Sequence, residues 1–402
     1  MKYVIVHAGG MADHQQPELN GHTPLQASAT PHLDRLAQNG ELGQLLTPMD
    51  GVRHGSGLIG TAILGYDPRK FYQGPGPLEA ASLGVSVTEH DVVYRCTMVT
   101  LRAEGGKGSE IKKLGPHVIM DDATGGLIET EEARELIEAI NEQLGSETIQ
   151  FYPGAGHRHL MVWVNGKPRA VCTDPQTILG QSIADALPTG DGSDILRKLM
   201  DAAYLTLRDH PVNDERIAGG KKPANCVWLW GEGRAVMWPS LVEKYDIAGA
   251  VVATSDVYRG VGISAGLEAV DPDRLADGDL RTKAAVALEE LAKKDFVYVH
   301  AELTDEVIHG TDIKAKVHGI EEFDRNLVGP LVDGLAKQGS YRFLVICDHA
   351  AGEQGQAIYA FGEGGRNSSE TVGRRFTEAD ALAMNMPARD ATKFVNKFFS
   401  KS

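Results

Sequence analysis

The sequence predicts an α/β protein, a mostly parallel sheet covered by helices, with an α+β block inserted into it. Short apolar runs rich in β-branched residues alternate with amphipathic helical patterns near both ends of the chain, the order that parallel βαβ units need. The middle of the chain breaks that order. The composition, 42% hydrophobic and 24% charged over 402 residues with 46 glycines, is that of a globular chain long enough for one large domain or two ordinary ones.

Tyr3 to Val6 form the first strand, which runs into the Gly-rich turn His7-Ala8-Gly9-Gly10. Thr30-Pro31 opens a helix with a cap residue and a proline at the first helical position, and Gly40 closes it. Gly55-Ser56 precedes an apolar segment, Leu58 to Leu64, that ends at the turn Gly65-Tyr66-Asp67-Pro68. A helix then runs from Thr130 to Gly145, and Leu160–Val164 with Arg169–Cys172 reads as a hairpin over Asn165-Gly166. Ile195–Asp209 is a further helix. The α/β alternation returns with a helix over Arg281–Lys294 and a strand over Phe296–Val299. A long helix over Asp312–Lys337 and a strand over Arg342–Ile346 follow. The expected organisation is a core built from residues 1–90 and 223–402, interrupted by a cap domain over 91–222.

Charge and cysteines narrow the function classes. Forty Lys and Arg against 55 Asp and Glu give a net charge of −15, a poor match to nucleic acid or an anionic membrane. A small anion remains a suitable partner wherever Arg and Lys cluster. No run of 18 apolar residues reads as a membrane span, and the first residues read directly as a strand, without the pattern of a signal peptide. Four scattered cysteines, none in a C-x-x-C pair, fit a cytoplasmic chain with no disulfide framework.

Three strand ends collect polar groups: His7-Ala8-Gly9-Gly10, then His300-Ala301-Glu302-Leu303-Thr304-Asp305 followed by His309, then Cys347-Asp348-His349. In an open parallel sheet the C-terminal strand ends share one crevice, so these groups can converge. Asp305 and His309 are spaced i, i+4, which on a helical turn presents a carboxylate and an imidazole to one ion; the same spacing fits a solvated helix start. Ser56, between Gly55 and Gly57 before an apolar segment, fits a nucleophile at a helix start or a plain N-cap. Arg95, Arg158, His159, Arg216 and Arg259 are the basic candidates for holding an anion.

The segments MKYVIVHAGGMAD, GSGLIGTAILGYDPRKFYQGPGPLEA, VVYRCTMVT, HRHLMVW, HPVNDER, PANCVWLWGEG and DFVYVHAELTDEVIHGTD, with CDH at the last strand end, carry a resemblance. In order and over nearly the whole chain they resemble the archaeal-type cofactor-independent phosphoglycerate mutases of the alkaline phosphatase superfamily. The resemblance implies an alkaline-phosphatase-like α/β core with an inserted cap. It implies two ions of the Mn²⁺ or Zn²⁺ kind at the strand ends, and a small phosphorylated acid as substrate. A serine takes the phosphoryl group and returns it to the neighbouring hydroxyl of the glycerate. By resemblance the nucleophile is Ser56, one ion is held by Asp348 and His349, and the other by Asp305 and His309. Arg95, Arg158, His159, Arg216 and Arg259 are the implied grip on the acid.

The departures from the family pattern are specific. The first-strand aspartate that binds metal falls on Gly9. The loop bearing a third histidine ligand is missing after His349, where AAGEQGQ is about seven residues short of the pattern. The acidic residue after the nucleophile is Gly57, the histidine of the cap falls on Leu127, and a lysine near the serine falls on Arg259. Three expectations follow. The first is a homologue impaired or inactive in phosphoryl transfer. The second is an active mutase whose metal site is rewired through His7, with Glu353 or His54 as spare ligands. The third is one-ion chemistry on another phosphomonoester through Asp305, His309, Asp348 and His349.

Overall fold

The apolar run after Met1 forms a strand buried on both faces, with every residue from Tyr3 to Gly9 out of water. The protein is described from a computed structural model that covers residues 1–47, 50–52, 55–105, 111–275, 278–302, 312–348, 356–364 and 373–400. Asp305, His309, His349, His54 and Glu353 lie outside the described residues. The chain folds as two compact units, Met1–Tyr72 with Trp238–Ser402, and Gln73–Met237. The second unit is wider at both ends than the expected 91–222, because the helix Pro75–Ser82 and the whole strand Cys226–Arg234 pack within it.

In chain order the described strands are β1 (Lys2–Gly9), β2 (Glu41–Leu46), β3 (Val92–Ala103), β4 (Val118–Asp122), β5 (Ile149–Tyr152), β6 (Arg158–Trp163), β7 (Ala170–Val171) and β8 (Thr189–Gly190). They continue as β9 (Cys226–Arg234), β10 (Gly249–Val252), β11 (Glu268–Ala269), β12 (Phe296–Glu302), β13 (Tyr341–Asp348), β14 (Gln356–Glu363) and β15 (Arg389–Asp390).

The first unit holds an eight-stranded sheet in the order β11-β10-β12-β1-β13-β14-β2-β15. It is parallel from β11 to β13, while β14 runs antiparallel to both β13 and β2. Alternation along β1 splits its side chains between two helix layers. Val4, Val6 and Ala8 join the core formed with Leu33, Leu291, Leu327 and Leu331. Tyr3, on the other face, meets Phe398 and Phe399 of the helix Ala391–Phe399 at ring centroid distances of 5.7 and 5.8 Å. Each such side chain taken fully out of water contributes about 1.5–3 kcal/mol. His7 and Gly9 share the face of Tyr3, which sets up the crevice described below.

The second unit holds the sheet β4-β3-β6-β5, with β9 also paired to β3. The helices Thr130–Leu144 and Ser193–Leu207 bury Leu136, Ile140, Leu196 and Met200 against it.

One local expectation is corrected and another refined. The hairpin over Asn165-Gly166 does not form: β6 pairs with β3 and β5, and β7 pairs with β8. Asn165 makes the turn at φ 52°, but Pro168 follows at once and cannot donate to a ladder, so the chain leaves β6. The long helix expected over Asp312–Lys337 runs unbroken from Ile313 to Gln338, with a π turn at Asp324–Val328 inside it. Pro330 removes one helical N–H there. The buried Asp324 accepts the amides of His32 and Leu33, capping the helix Pro31–Asn39.

Candidate active site

Parallel pairing brings the ends of β12, β1 and β13 side by side. His7 is opposite His300 on one neighbour and Ile346 on the other, and Gly9 is opposite Glu302. β12 and β13 run further than the sequence predicted, so His300, Glu302 and Asp348 are strand residues.

His7 is fully buried, and both ring nitrogens are engaged. Nδ1 lies 2.9 Å from the Tyr298 hydroxyl and Nε2 lies 3.1 Å from Asp348 Oδ2. A carboxylate only accepts, so the consistent chain has Tyr298 O–H donating to Nδ1 and Nε2–H donating to Asp348. The Gly10 amide donates to the other oxygen, Oδ1, at 3.2 Å. The Asp348 carboxylate, 3% exposed, is thereby held at the strand end by a histidine and a backbone amide.

Behind this carboxylate sits a set of rings. Tyr258 stacks on His300 at 3.7 Å, and both meet His7 edge-on at 5.0 Å. Burial pushes His300 well below the usual imidazole range, and the nearby His7 and Lys283 charges push the same way. Its Nε2 is buried and has no hydrogen-bond partner among the described residues. Burial, then the charges of Asp348 and Glu302, push the Tyr258 and Tyr298 hydroxyls up. Lys283 is buried beside them, with Nζ 3.3 Å from Thr254 Oγ1 and 3.4 Å from the His300 carbonyl. Burial lowers its pKa and the Glu302 charge opposes that shift.

Ser56 is exposed, two residues before the helix Leu58–Ile63. The N-cap is Gly57, at φ 89°, so the plain N-cap reading of Ser56 is corrected. The Ser56 carbonyl accepts the Tyr72 hydroxyl at 3.0 Å. Gly60 lets this helix approach the ring set: a Cβ there would lie 3.1 Å from Tyr258 and 3.5 Å from the Tyr298 hydroxyl. Ser56 thus lies just ahead of a helix that rests on the two tyrosines supporting His7 and His300. Arg259 follows Tyr258 on the helix Asp256–Ser264 and is half-buried.

A cavity of about 470 Å³ opens elsewhere in this unit, lined in part by Asp13, His14, Cys347 and Glu378. Asp13 pairs with Lys316 at 2.6 Å. Burial pushes the Glu378 carboxyl up, against opposing hydrogen bonds that include the Thr23 hydroxyl. Its two carboxyl groups make it a poor place for a phosphate.

The remaining anion-binding candidates lie in the second unit, and most are committed to protein acceptors. Arg95 makes a two-pronged pair with Glu79, at 2.7 and 3.0 Å, and lies over the Trp230 ring at 4.7 Å. Arg216 is 2% exposed; it pairs with Glu132 and donates to the carbonyls of Lys222, Gly125 and Gly126. The geometry gives Arg216 a positioning role on the turn Gly125-Gly126-Leu127. His159 is buried in the sheet core, and its Nδ1 accepts the Gly154 amide at 3.0 Å. Burial pushes it down to about 3, so the ring is neutral. Arg158 alone of these four is exposed. Leu127 is 79% exposed and adopts φ 54° after two glycines also at positive φ.

Among the described residues no group of three or more His, Cys, Asp or Glu side chains is arranged to hold a metal ion. The described part of the crevice supplies two carboxylates, Asp348 and Glu302. Sequence reasoning noted Glu302 within a polar strand end but assigned it no role. Its position against Gly9 depends on strand register, which no local pattern reveals.

Comparison with known proteins follows the same lines. The sequence profile of a family described as 2,3-bisphosphoglycerate-independent phosphoglycerate mutase matches residues 37–213. A Geobacter sulfurreducens protein named "Probable 2,3-bisphosphoglycerate-independent phosphoglycerate mutase" is 42% identical over 87% of this chain and 86% of its own. A 2,3-bisphosphoglycerate-independent phosphoglycerate mutase of Methanothrix thermoacetophila is 39% identical, with the same coverage. Among solved structures, a Pyrococcus horikoshii protein shares the fold at a TM-score of 0.75 and 22% identity, over 100% of this chain and 98% of its own. The cofactor-independent phosphoglycerate mutase of Thermoplasma acidophilum shares it at 0.60 and 22%, over 99% and 98%.

Proposed function

The chain belongs to the 2,3-bisphosphoglycerate-independent phosphoglycerate mutase family, and from that premise we propose that it is a mutase homologue impaired in metal-dependent phosphoryl transfer. The reaction proposed is interconversion of 2- and 3-phosphoglycerate. The proposed frame is an alkaline-phosphatase-like core, with residues 91–222 as the cap that holds the substrate. Ser56 is the proposed nucleophile. Its Oγ forms a bond to phosphorus as the bond to one glycerate oxygen breaks, and the reverse transfer goes to the neighbouring hydroxyl. Asp348, with Asp305, His309 and His349, would hold Mn²⁺ or Zn²⁺. Such an ion, when bound, neutralises phosphoryl charge and makes the serine hydroxyl easier to deprotonate.

The observation that carries the impairment is Gly9. It stands between the Glu302 and Asp348 strand ends with no side chain, where the resemblance places a metal-binding aspartate. His7 supports this reading as an orienting group, since both its nitrogens are already engaged. Arg95 and Arg216 support it as well, because their protein partners leave less positive charge for an incoming acid. In the second unit the proposed contact to the acid is Arg158; in the first unit it is Arg259.

No helix among the described residues is long and apolar enough to cross a membrane. We place the protein in the cytoplasm, with a small phosphorylated acid or other small anion as its partner and neither nucleic acid nor membrane, in keeping with its net charge of −15.

The test is a coupled assay of 3-phosphoglycerate conversion with added Mn²⁺. We expect turnover below about 0.1 s⁻¹, against roughly 1–10³ s⁻¹ for ordinary enzymes, and none in Ser56→Ala. Turnover in the ordinary range that disappears in Ser56→Ala would overturn the impairment. A Ser56-dependent signal on a different phosphomonoester would instead establish the one-ion alternative.

A further inference from the structure

The cavity beside Asp13 and Glu378 lies on the far side of the sheet from the strand-end crevice. Cys347, in its wall, packs with Ala8 and Val345 in the core, while the next residue, Asp348, bonds His7 on the opposite face. Its volume of about 470 Å³ is that of a small-molecule site. Leu382, 62% exposed, and the exposed Ala379 line its solvent side. The proposed function uses none of these lining residues.

Its two carboxylates differ in what they face. Asp13 is matched by a cation: the buried Lys316 ammonium donates to Oδ2 at 2.6 Å, and the His14 amide donates to Oδ1 at 2.7 Å. Glu378 is held by neutral donors, the Thr23 hydroxyl on Oε2 at 2.8 Å and the Asp13 amide on Oε1 at 3.2 Å. Burial pushes the Glu378 carboxyl up, hydrogen bonds oppose the rise, and the Asp13 charge adds to it; no described cation is among these influences. A carboxylate accepts about four hydrogen bonds, so acceptor capacity remains on Glu378.

We propose that this cavity binds a small aliphatic amine in its protonated form, with the ammonium against Glu378 and the methylenes on the apolar wall. Charge selects the class. Asp13 and Lys316 cancel, so Glu378 sets the sign of the cavity, repels phosphates and carboxylates and favours a cation. An arriving ammonium also favours the ionised form of Glu378. The wall selects the body. Ala12, Ala357 and Ile358 offer apolar surface that an alkyl chain can cover and a bare metal ion cannot. The carboxamides of Gln15 and Gln44 add carbonyl oxygens that can accept from further N–H groups.

This site is independent of the mutase reading, and its test uses no turnover. The experiment is calorimetric titration of the full chain with diaminobutane at about 150 mM salt, which screens the general attraction of an acidic surface for cations. Butanediol and succinate, of the same chain length, are the neutral and anionic counterparts. The diamine should bind saturably with a Kd on the order of 1 mM, in keeping with so small a probe. The diol should bind about tenfold more weakly or worse, and succinate should give no saturable heat. Glu378→Gln should weaken the diamine about tenfold or more, as loss of a hydrogen bond to a charged group does. Ala379→Trp, which sets an indole on the exposed side of the cavity, should abolish binding with an unchanged melting temperature. It keeps the test decisive where Glu378→Gln disturbs the Asp13 turn. Wild-type protein that takes up no diamine, or takes up the diol equally well, overturns the proposal, as does wild-type affinity in either folded variant.

Discussion

The two units treat their charged residues in opposite ways. In the first, His7 and Asp348 are buried and joined, yet the carboxylate they hold faces a strand-end crevice beside Glu302. In the second, a buried Arg216 and a half-buried Arg95 are joined to Glu132 and Glu79, and each pair closes on itself inside the unit. A buried carboxylate or ion pair is costly to desolvate, and its retention needs a reason. In the first unit the reason offered is a carboxylate aimed at a cation. In the second it is backbone, since Arg216 fastens the turn at Gly125 and Gly126 through their carbonyls.

The largest test of that contrast is Arg216→Ala. It leaves three carbonyl groups without this donor and Glu132, 27% exposed, with only the Glu129 amide and Lys221 among the described residues, so the loss should be about 2–4 kcal/mol. Urea denaturation should show the whole of that loss, while phosphate affinity measured on the protein that remains folded should be unchanged. A stable variant with reduced phosphate affinity would make Arg216 a grip after all and erase the difference between the units.

The second test acts on the first unit. His7→Phe removes a donor from the buried Asp348 and an acceptor from the Tyr298 hydroxyl, a loss of about 2–4 kcal/mol. It should also weaken Mn²⁺ binding ten- to a hundredfold, the usual effect of removing a group that orients a ligand. His7→Gln, whose amide can still donate to Asp348, should restore most of that binding. If Gln fails as badly as Phe, His7 is a direct ligand rather than an orienting group.

What the sequence revealed follows from how local each feature is. β1, β12 and β13 were legible because strands buried on both faces read as continuous apolar runs. The helical stretch after Asp312 was legible as one long helix but its π turn was not, because the apolar period continues through Pro330 while the hydrogen bonding shifts register there. Asn165-Gly166 gave a true turn and a false hairpin, since a dipeptide fixes the bend and not the strand that answers it. The site divided along the same line. Asp348 and His7 were visible as strand-end residues. The acceptors that occupy Arg95 and Arg216 were not, because they come from segments remote in sequence. Glu302 was hidden for the same reason: its meaning comes from its register with Gly9.

Acid should separate neutral buried imidazoles from paired ones. Burial pushes His159 down to about 3 from an ordinary 6.5. A folded value below the unfolded one gives stability that is complete above the unfolded pKa and is lost as pH falls toward the folded one. Between roughly pH 6.5 and 5 that loss is about 2 kcal/mol at 1.36 kcal/mol per unit. Melting curves read by tryptophan fluorescence, to which the second unit contributes Trp163, Trp228 and Trp230, should show it. His159→Gln, which keeps an acceptor for the Gly154 amide, should lose less stability over the same interval. Equal acid sensitivity in the variant would assign the effect to His300, which is also held well below its ordinary value.

The smallest expected effect tests what the Arg216 pair holds in place. Leu127 takes φ 54°, a left-handed conformation that costs a residue with a Cβ roughly 1–2 kcal/mol. An exposed leucine gains nothing from packing to offset this. The turn persists because Asp122 Oδ1 accepts the Thr124 amide and hydroxyl and the Gly126 amide, at 2.8, 2.6 and 3.2 Å, and Thr124 Oγ1 accepts the Leu127 amide at 3.0 Å. Burial pushes the Asp122 carboxyl up but is outweighed by these bonds and the Lys222 charge, which keep it below its ordinary value. Leu127→Gly should therefore raise stability by about 1 kcal/mol, after allowance for the greater freedom of the unfolded glycine chain. In an Arg216→Ala background the turn is already released, so the gain should vanish, and the double-mutant cycle would show a coupling of similar size. An unchanged gain in that background would mean that the Asp122 bonds alone set the turn, and that the buried arginine serves the helix Thr130–Leu144 through Glu132 instead.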